Sequence, residues 1–287
     1  MASDNRFAVL IDADNVSVKY IKIILDEISK DGIATYKRIY GDWTNPSLIS
    51  WKSTLLDNSI IPVQQYSYTT GKNSTDSAMI IDAMDILYSG RVEGFCLVSS
   101  DSDFTRLAAR LRESGMTVIG MGESKTPNSF IAACNKFKYL DILSAADEAE
   151  AEEAAPKAEP AKKPAAQPKK TAQKAAAKKP KEEPKAEKEP KPAEPKKQQE
   201  KAIEEPRTSL RTIRRALRTI VRENSDEDNW IMVSQVGNLL DKRYPDFDVR
   251  NFGFSKLTPF LESLDMFEIQ NMKKDPNSSP QKYVRLK

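Results

Sequence analysis

The chain reads as an α/β protein: a Rossmann-like parallel sheet in its first half and a separate winged helix-turn-helix at its C-terminal end. Three observations carry this. Apolar runs of strand length alternate with amphipathic stretches of helix length from residue 7 to residue 143, which argues for a parallel sheet covered by helices on both faces. Residues 147–206 are almost entirely Ala, Lys, Glu, Pro and Gln, a composition that cannot bury a core. Residues 207–287 return to helical periodicity and end in two short alternating runs, the signature of three helices and a β-hairpin. The expected regions are therefore 1–146, 147–206 and 207–287.

Taking the elements in order, Phe7–Ile11 is a continuous apolar run and reads as a buried strand. It ends at Asp12-Ala-Asp-Asn15. Val16, Tyr20, Ile23, Ile24 and Ile28 then recur at helical spacing. Ile33–Tyr40 reads as a second strand, Pro46 opens a helix, and Ile60–Tyr66 reads as a third strand. A polar loop precedes an apolar helix from Thr75 to Tyr88. Phe95–Ser99 is the fourth strand, followed by Asp101, Asp103 and a helix from Phe104 to Ser114, with Gly115 as its stop. Met116–Met121 reads as a fifth strand, Pro127–Cys134 as a short helix, and Phe137–Leu143 as a last strand.

The middle stretch holds ten of the 17 prolines and has no glycine or aromatic residue. Its Ala, Lys and Glu favour transient helix, which the prolines interrupt. The expectation is an extended, semi-rigid spacer. Beyond it, Ser209–Asn224 is an amphipathic helix with Leu210, Ile213, Leu217, Ile220 and Val221 on one face and five arginines on the remainder. Val233–Arg243 and Phe254–Leu264 read as two more helices. Phe267–Ile269 and Tyr283–Leu286 read as the strands of a wing.

Net charge is only +3 over 45 basic and 42 acidic residues, but it is unevenly spread. The first region is slightly acidic and the last is basic, which suits a cation-using site joined to a polyanion binder. Histidine is absent. That removes Ser-His-Asp and Cys-His catalysis and His-ligated zinc together. The two cysteines, Cys96 and Cys134, have no metal-ligand spacing and read as thiols in a reducing compartment. No apolar run is long enough to span a bilayer and the N-terminus lacks a signal-peptide pattern, so a cytoplasmic protein is expected.

Ligand sites in parallel sheets form outside the carboxyl ends of the strands. Asp12 sits at one such end, Asp101 and Asp103 at another, and Asp76 opens the helix before the fourth strand. Converging carboxylates repel unless a cation neutralises them, and hard divalent cations prefer oxygen ligands. Asn15 could position a water or a phosphate oxygen. Asp14 is expected to face solvent or cap a helix. Asp82 lies inside an apolar helix, where an acid requires a partner or a function. Helix capping is the competing reading for Asp101 or Asp103, and a first-turn acid favoured by the helix dipole is the competing reading for Asp76. Four acids and an asparagine without histidine fit metal-assisted phosphodiester hydrolysis with Mg²⁺ or Mn²⁺.

These motifs carry a resemblance. Leu10-Ile-Asp-Ala-Asp-Asn15, Lys72-Asn-Ser-Thr-Asp76, Asp82 and Ser99-Ser-Asp-Ser-Asp-Phe104 resemble, in that order, the pattern of the NYN domain, a PIN-like nuclease fold, in its LabA-like branch. The Lys72 element is one residue longer than the family's Lys-x-x-Asp. The resemblance implies metal-dependent ribonuclease chemistry. Pro245-Asp-Phe-Asp-Val-Arg-Asn-Phe-Gly-Phe-Ser-Lys-Leu257, with Leu261 and Phe267-Glu-Ile269, resembles the LOTUS domain, also called OST-HTH. That resemblance implies binding of RNA, single-stranded or structured, and in some members of protein partners.

The resulting expectation is a metal-dependent ribonuclease. Asp12, Asp76, Asp101 and Asp103 would form the metal cluster, Asn15 would assist and Asp82 would be an additional candidate. Arg250, Lys256, Lys273 and Lys274 are expected phosphate contacts by charge and exposure. The spacer would let both domains engage one RNA. A non-catalytic RNA-binding adaptor is the rival. A phosphatase using Asp12-Ala-Asp14 is a third reading, opposed by Asn15 and by the lack of a Gly-Thr pair after the second Asp.

Overall fold

Strand and helix alternate along the first region: β1 (Arg6–Asp12), α1 (Ile21–Asp31), β2 (Ile33–Gly41), α2 (Trp51–Asp57), β3 (Ile61–Gln64), α3 (Ser74–Ser89), β4 (Gly94–Val98), α4 (Thr105–Glu113), β5 (Thr117–Gly122), α5 (Asn128–Ala133), β6 (Lys136–Tyr139) and α6 (Leu140–Ala154). The structure, a computed structural model, describes residues 5–66, 74–154, 208–273 and 279–287. Lys72, Lys274 and the expected spacer from residue 155 lie outside the described residues.

The six strands form one parallel sheet in the order β3-β2-β1-β4-β5-β6. β1 and β4 are central, covered on both faces, and buried along nearly their whole length, as their unbroken apolar runs require. Successive β1 side chains feed two cores. Phe7, Val9 and Ile11 pack with α1, α2 and the start of α6. Ala8 and Leu10 pack with α3, α4 and α5. The strand order reverses between β1 and β4, so their carboxyl ends flank the crevice where such sheets bind ligands. That order was not readable from the sequence.

Several boundaries differ from expectation. The last strand stops at Tyr139, and residues 140–143, expected as its end, open α6. The alternation there is only four residues long. Leu140 and Leu143 then bury together at helical spacing, and the following Ala/Glu run favours helix. α6 consequently continues to Ala154, past residue 147. Pro46 opens only a 3-10 turn, Pro46–Leu48, capped by Asn45, with α2 beginning at Trp51.

The C-terminal region contains α7 (Leu210–Asn224), β7 (Ile231–Met232), α8 (Val233–Arg243), α9 (Leu257–Ser263), β8 (Phe267–Met272) and β9 (Gln281–Leu286). Ser209 caps α7 by accepting from Thr212 N. The wing is a three-stranded antiparallel sheet, β7-β9-β8, because two residues before α8 add a short strand to the expected hairpin. The expected helix start at Phe254 is also displaced. Val249–Phe252 forms a 3-10 turn ended by Gly253 at φ +78°, a left-handed conformation suited to glycine. Ile213, Leu217, Leu240, Phe260 and Val284 centre the core of this domain.

Both regions belong to one compact unit. β6 is an edge strand, so its free backbone groups need partners. Phe137 N donates to Pro245 O at 2.7 Å, and the Tyr139 hydroxyl donates to Asp246 at 3.2 Å. Beside them Arg250 donates to Glu27 at 2.6 and 3.0 Å.

Candidate functional site

The crevice between β1 and β4 is built from short segments leaving two buried strands. Asp12 ends β1 and is only 2% exposed. Its carboxylate accepts from the Ser99 hydroxyl at 2.8 Å and from Asp14 N at 3.1 Å. Burial pushes its pKa up, while Ser99 and the backbone N–H groups of Asp14 and Asn15 oppose that rise. Ser99 also accepts from Asp101 N at 3.1 Å, so one hydroxyl links the end of β1 to the turn after β4. Gly122, at the end of β5, allows this turn to come close. A Cβ there would lie 2.7 Å from Ser99 O and 2.7 Å from Thr126 Oγ1.

Asp101 caps a 3-10 turn, Ser102–Phe104, that leads into α4. Its Oδ1 accepts from Asp103 N at 3.0 Å. The capping reading is thus correct for one oxygen of Asp101. Asp76 lies in the first turn of α3, on the same side of the sheet as α4. Asp76, Asp101 and Asp103 each offer a carboxylate oxygen, and the three oxygens lie within 4.8 Å of one another. Among the described residues no lysine or arginine pairs with Asp76 or Asp101. The Asp76 pKa is accordingly pushed up to about 6, first by burial and then by the charges of Asp12, Asp101, Asp103 and Asp14. An all-oxygen anionic donor set of this kind suits a hard divalent cation.

The expected residues therefore fall into distinct places. Asp76, Asp101 and Asp103 meet. Asp12 is buried outside the trio, its oxygens engaged by Ser99 and the chain, and acts on Asp76 by its charge. Asn15 is half-buried in the turn after β1. Asp14 is exposed, as expected, yet it accepts from the Thr75 hydroxyl at 2.9 Å and so ties β1's turn to the start of α3. Asp82 stands apart from the trio. Its two oxygens are taken by Arg38 and Tyr40 of β2, which supply the partner that a carboxylate in an apolar helix requires. Ser99 and Thr75 are positioning residues that sequence reasoning passed over. The signal for Ser99 was its small hydroxyl immediately after a fully buried run.

The C-terminal cations also separate. Lys256 and Lys273 are exposed. Arg250 is not a free phosphate contact, because its guanidinium donates to Asp248 as well as Glu27. Glu27 is 3% exposed and also pairs with Lys138 at 2.9 Å. Burial opposes its charge, but Arg250, Lys138 and Lys30 hold its carboxyl well below the usual range. No helix among the described residues is long and apolar enough to cross a membrane.

A parallel sheet with an acidic crevice at its switch point, followed by a winged helix, defines an α/β protein with a separate C-terminal helical domain. The family models agree: residues 6–141 match the NYN domain and residues 207–278 match the OST-HTH/LOTUS domain. The chain carries these two domains in that order. NYN domains are nucleases and OST-HTH domains bind RNA. Among solved structures, the chain is similar to a protein of unknown function from Vibrio parahaemolyticus, with 19% identity and a TM-score of 0.41 over 48% of this chain and 96% of that one. It is also similar to an uncharacterized protein of Nitrosomonas europaea, with 28% identity and a TM-score of 0.25 over 33% of this chain and 92% of that one. No curated protein matches.

Proposed function

We propose that the protein is a metal-dependent endoribonuclease whose NYN domain hydrolyses RNA and whose OST-HTH/LOTUS domain holds it. The observation that carries this reading is the Asp76–Asp101–Asp103 trio at the mouth of the β1–β4 crevice. Mg²⁺ or Mn²⁺ held by these three carboxylates would supply charge neutralisation for a phosphodiester and a lowered pKa for water.

The chain's own residues have separable parts. Asp101 and Asp103 start α4 at a fixed separation, because the Asp101 cap locks the turn between them. Asp76 approaches from α3, where burial and the neighbouring carboxylates raise its pKa to about 6. Asp12 adds negative potential at Asp76, and the Ser99 hydroxyl holds its carboxylate by a hydrogen bond. Asn15, half-buried in the turn after β1, is the residue we assign to orienting a phosphate or water. Cys96 and Cys134 are buried, free thiols, which supports placement in the cytoplasm.

Cleavage of labelled single-stranded RNA, with Mn²⁺, Mg²⁺ or EDTA, tests the reading. Wild type should cut with metal and stop in EDTA, and folded Asp101→Asn should not cut. RNA bound but uncut by folded wild type across varied RNAs would favour the adaptor. Cutting retained in Asp101→Asn would remove the trio from the chemistry.

A further inference from the structure

The arginines of α7 form a different kind of surface from Arg250. The helix carries Arg211, Arg214, Arg215, Arg218 and Arg222 against one acid, Glu223, and contains no lysine. Its apolar face is buried in the domain core through Ile213, Leu217, Ile220 and Val221. All five arginines are exposed. No carboxylate pairs with any of them among the described residues. Two other arginines of this domain are neutralised, Arg250 by Glu27 and Asp248 and Arg285 by Glu268 at 2.6 Å, while Arg243 on α8 is exposed. The net positive charge of the region is therefore concentrated on one helix.

Arg211, Arg215, Arg218 and Arg222 follow the spacing i, i+4, i+7, i+11, which places them in one stripe. At 1.5 Å per residue the stripe is about 16 Å long, the axial length of roughly five nucleotides of one strand at about 3.4 Å each. Arginine suits this role better than lysine because its planar fork matches phosphate oxygens in pairs. Arg214 lies beside the stripe and is partly engaged, donating to Leu264 O at 3.3 Å. Like charges at i, i+4 cost a helix some stability. An unpaired row of them is a feature that a polyanion would relieve.

We infer that the arginine stripe of α7 is the main RNA phosphate-binding surface of the C-terminal domain, while Arg250 serves the contact with the NYN domain. This inference rests on the RNA-binding reading above. It assigns phosphate-backbone recognition to the stripe and no base readout.

The test is fluorescence anisotropy of the full chain with labelled single-stranded RNA in EDTA, over a series of salt concentrations. Replacing Arg211, Arg215, Arg218 and Arg222 together with Gln should weaken binding about 100-fold at low salt. It should also make the slope of log K against log salt shallower by about 3, the release expected for four lost phosphate contacts. Replacing the same four with Lys should keep most of the slope. If the fourfold Gln variant fails to fold, R215Q/R218Q should show about half the change in slope. Lys52→Gln, on the NYN domain, is the control for general charge loss. A folded fourfold Gln variant with wild-type affinity and slope, while wild type binds RNA, would overturn this inference alone. Wild type that binds no RNA would overturn it together with the RNA-binding reading.

Discussion

The molecule contains two gatherings of acids that look alike in a sequence and behave in opposite ways. Glu27 and Asp31, near the end of α1, are surrounded by Lys30, Lys136, Lys138 and Arg250. Burial opposes charge at both acids, yet the surrounding cations hold both carboxyls below their ordinary range. Asp76 is also desolvated, but the named charges around it are carboxylates, and its pKa rises to about 6. The first gathering is complete within the protein and joins its two domains. The second carries charge that the described side chains around Asp76 and Asp101 leave uncompensated. Electrostatic completeness, rather than the number of acids, separates a structural cluster from a candidate cation site.

The largest expected effect distinguishes them by activity. Asp101→Asn should reduce RNA cleavage by about 100-fold or more, the several kcal/mol that cation-assisted charge stabilisation supplies, with little change in urea stability. Glu27→Gln should do the reverse. Removing one partner of a buried ion-pair network costs about 3 kcal/mol, read by urea unfolding, while metal-dependent cleavage by the folded fraction persists. Equal effects of both substitutions on both readouts would break the comparison.

Metal and pH sharpen it. Millimolar Mn²⁺ should raise the melting temperature of wild type and Glu27→Gln by a few degrees, as expected for a ligand well above its Kd. It should not raise that of Asp101→Asn.

The pH dependence has opposite signs at the two gatherings. The depressed Glu27 pKa contributes stability above the ordinary carboxylate range, and that stability is lost as pH falls through and below that range. The stability difference between wild type and Glu27→Gln should therefore shrink in acid. The raised Asp76 pKa contributes stability at low pH that is lost as pH rises through about 6. Without metal, Asp76→Asn should be slightly more stable than wild type at pH 8. Mn²⁺ binding by wild type should weaken below about pH 6, as protons compete for Asp76.

The smallest effect concerns Ser99. Replacing Ser99 with Ala removes the hydroxyl that holds both Asp12 and the Asp101 turn. Cleavage should fall about tenfold, at the low end of losses seen for groups that orient metal ligands. Ser99→Thr should recover part of it.

What the sequence disclosed follows from how local each feature is. Asp101 and Asp103 were legible because a buried run followed by Ser-Ser-Asp-Ser-Asp leaves little alternative to a strand end and a helix start. Asp76 was legible as a first-turn acid, although its neighbours came only with the strand order. Asp12 was legible as a strand-end acid, but not its burial behind Ser99, which depends on the approach permitted by Gly122. Asp82 drew attention for a sound reason, since an acid in an apolar helix requires an explanation. Its partners Arg38 and Tyr40 lie on another element, so spacing within the helix could not reveal them. Arg250 shows the limit most clearly. Charge alone marked it for phosphate, and its partner Glu27 lies 223 positions away.

The central claim, that Asp76, Asp101 and Asp103 form a divalent-cation site, is tested most directly by calorimetric titration of Mn²⁺ into wild type, Asp101→Asn and Glu27→Gln at pH 7.5. Saturable binding by wild type and Glu27→Gln, lost in folded Asp101→Asn, is the expected result. Equal binding by all three, or none by folded wild type, would contradict it.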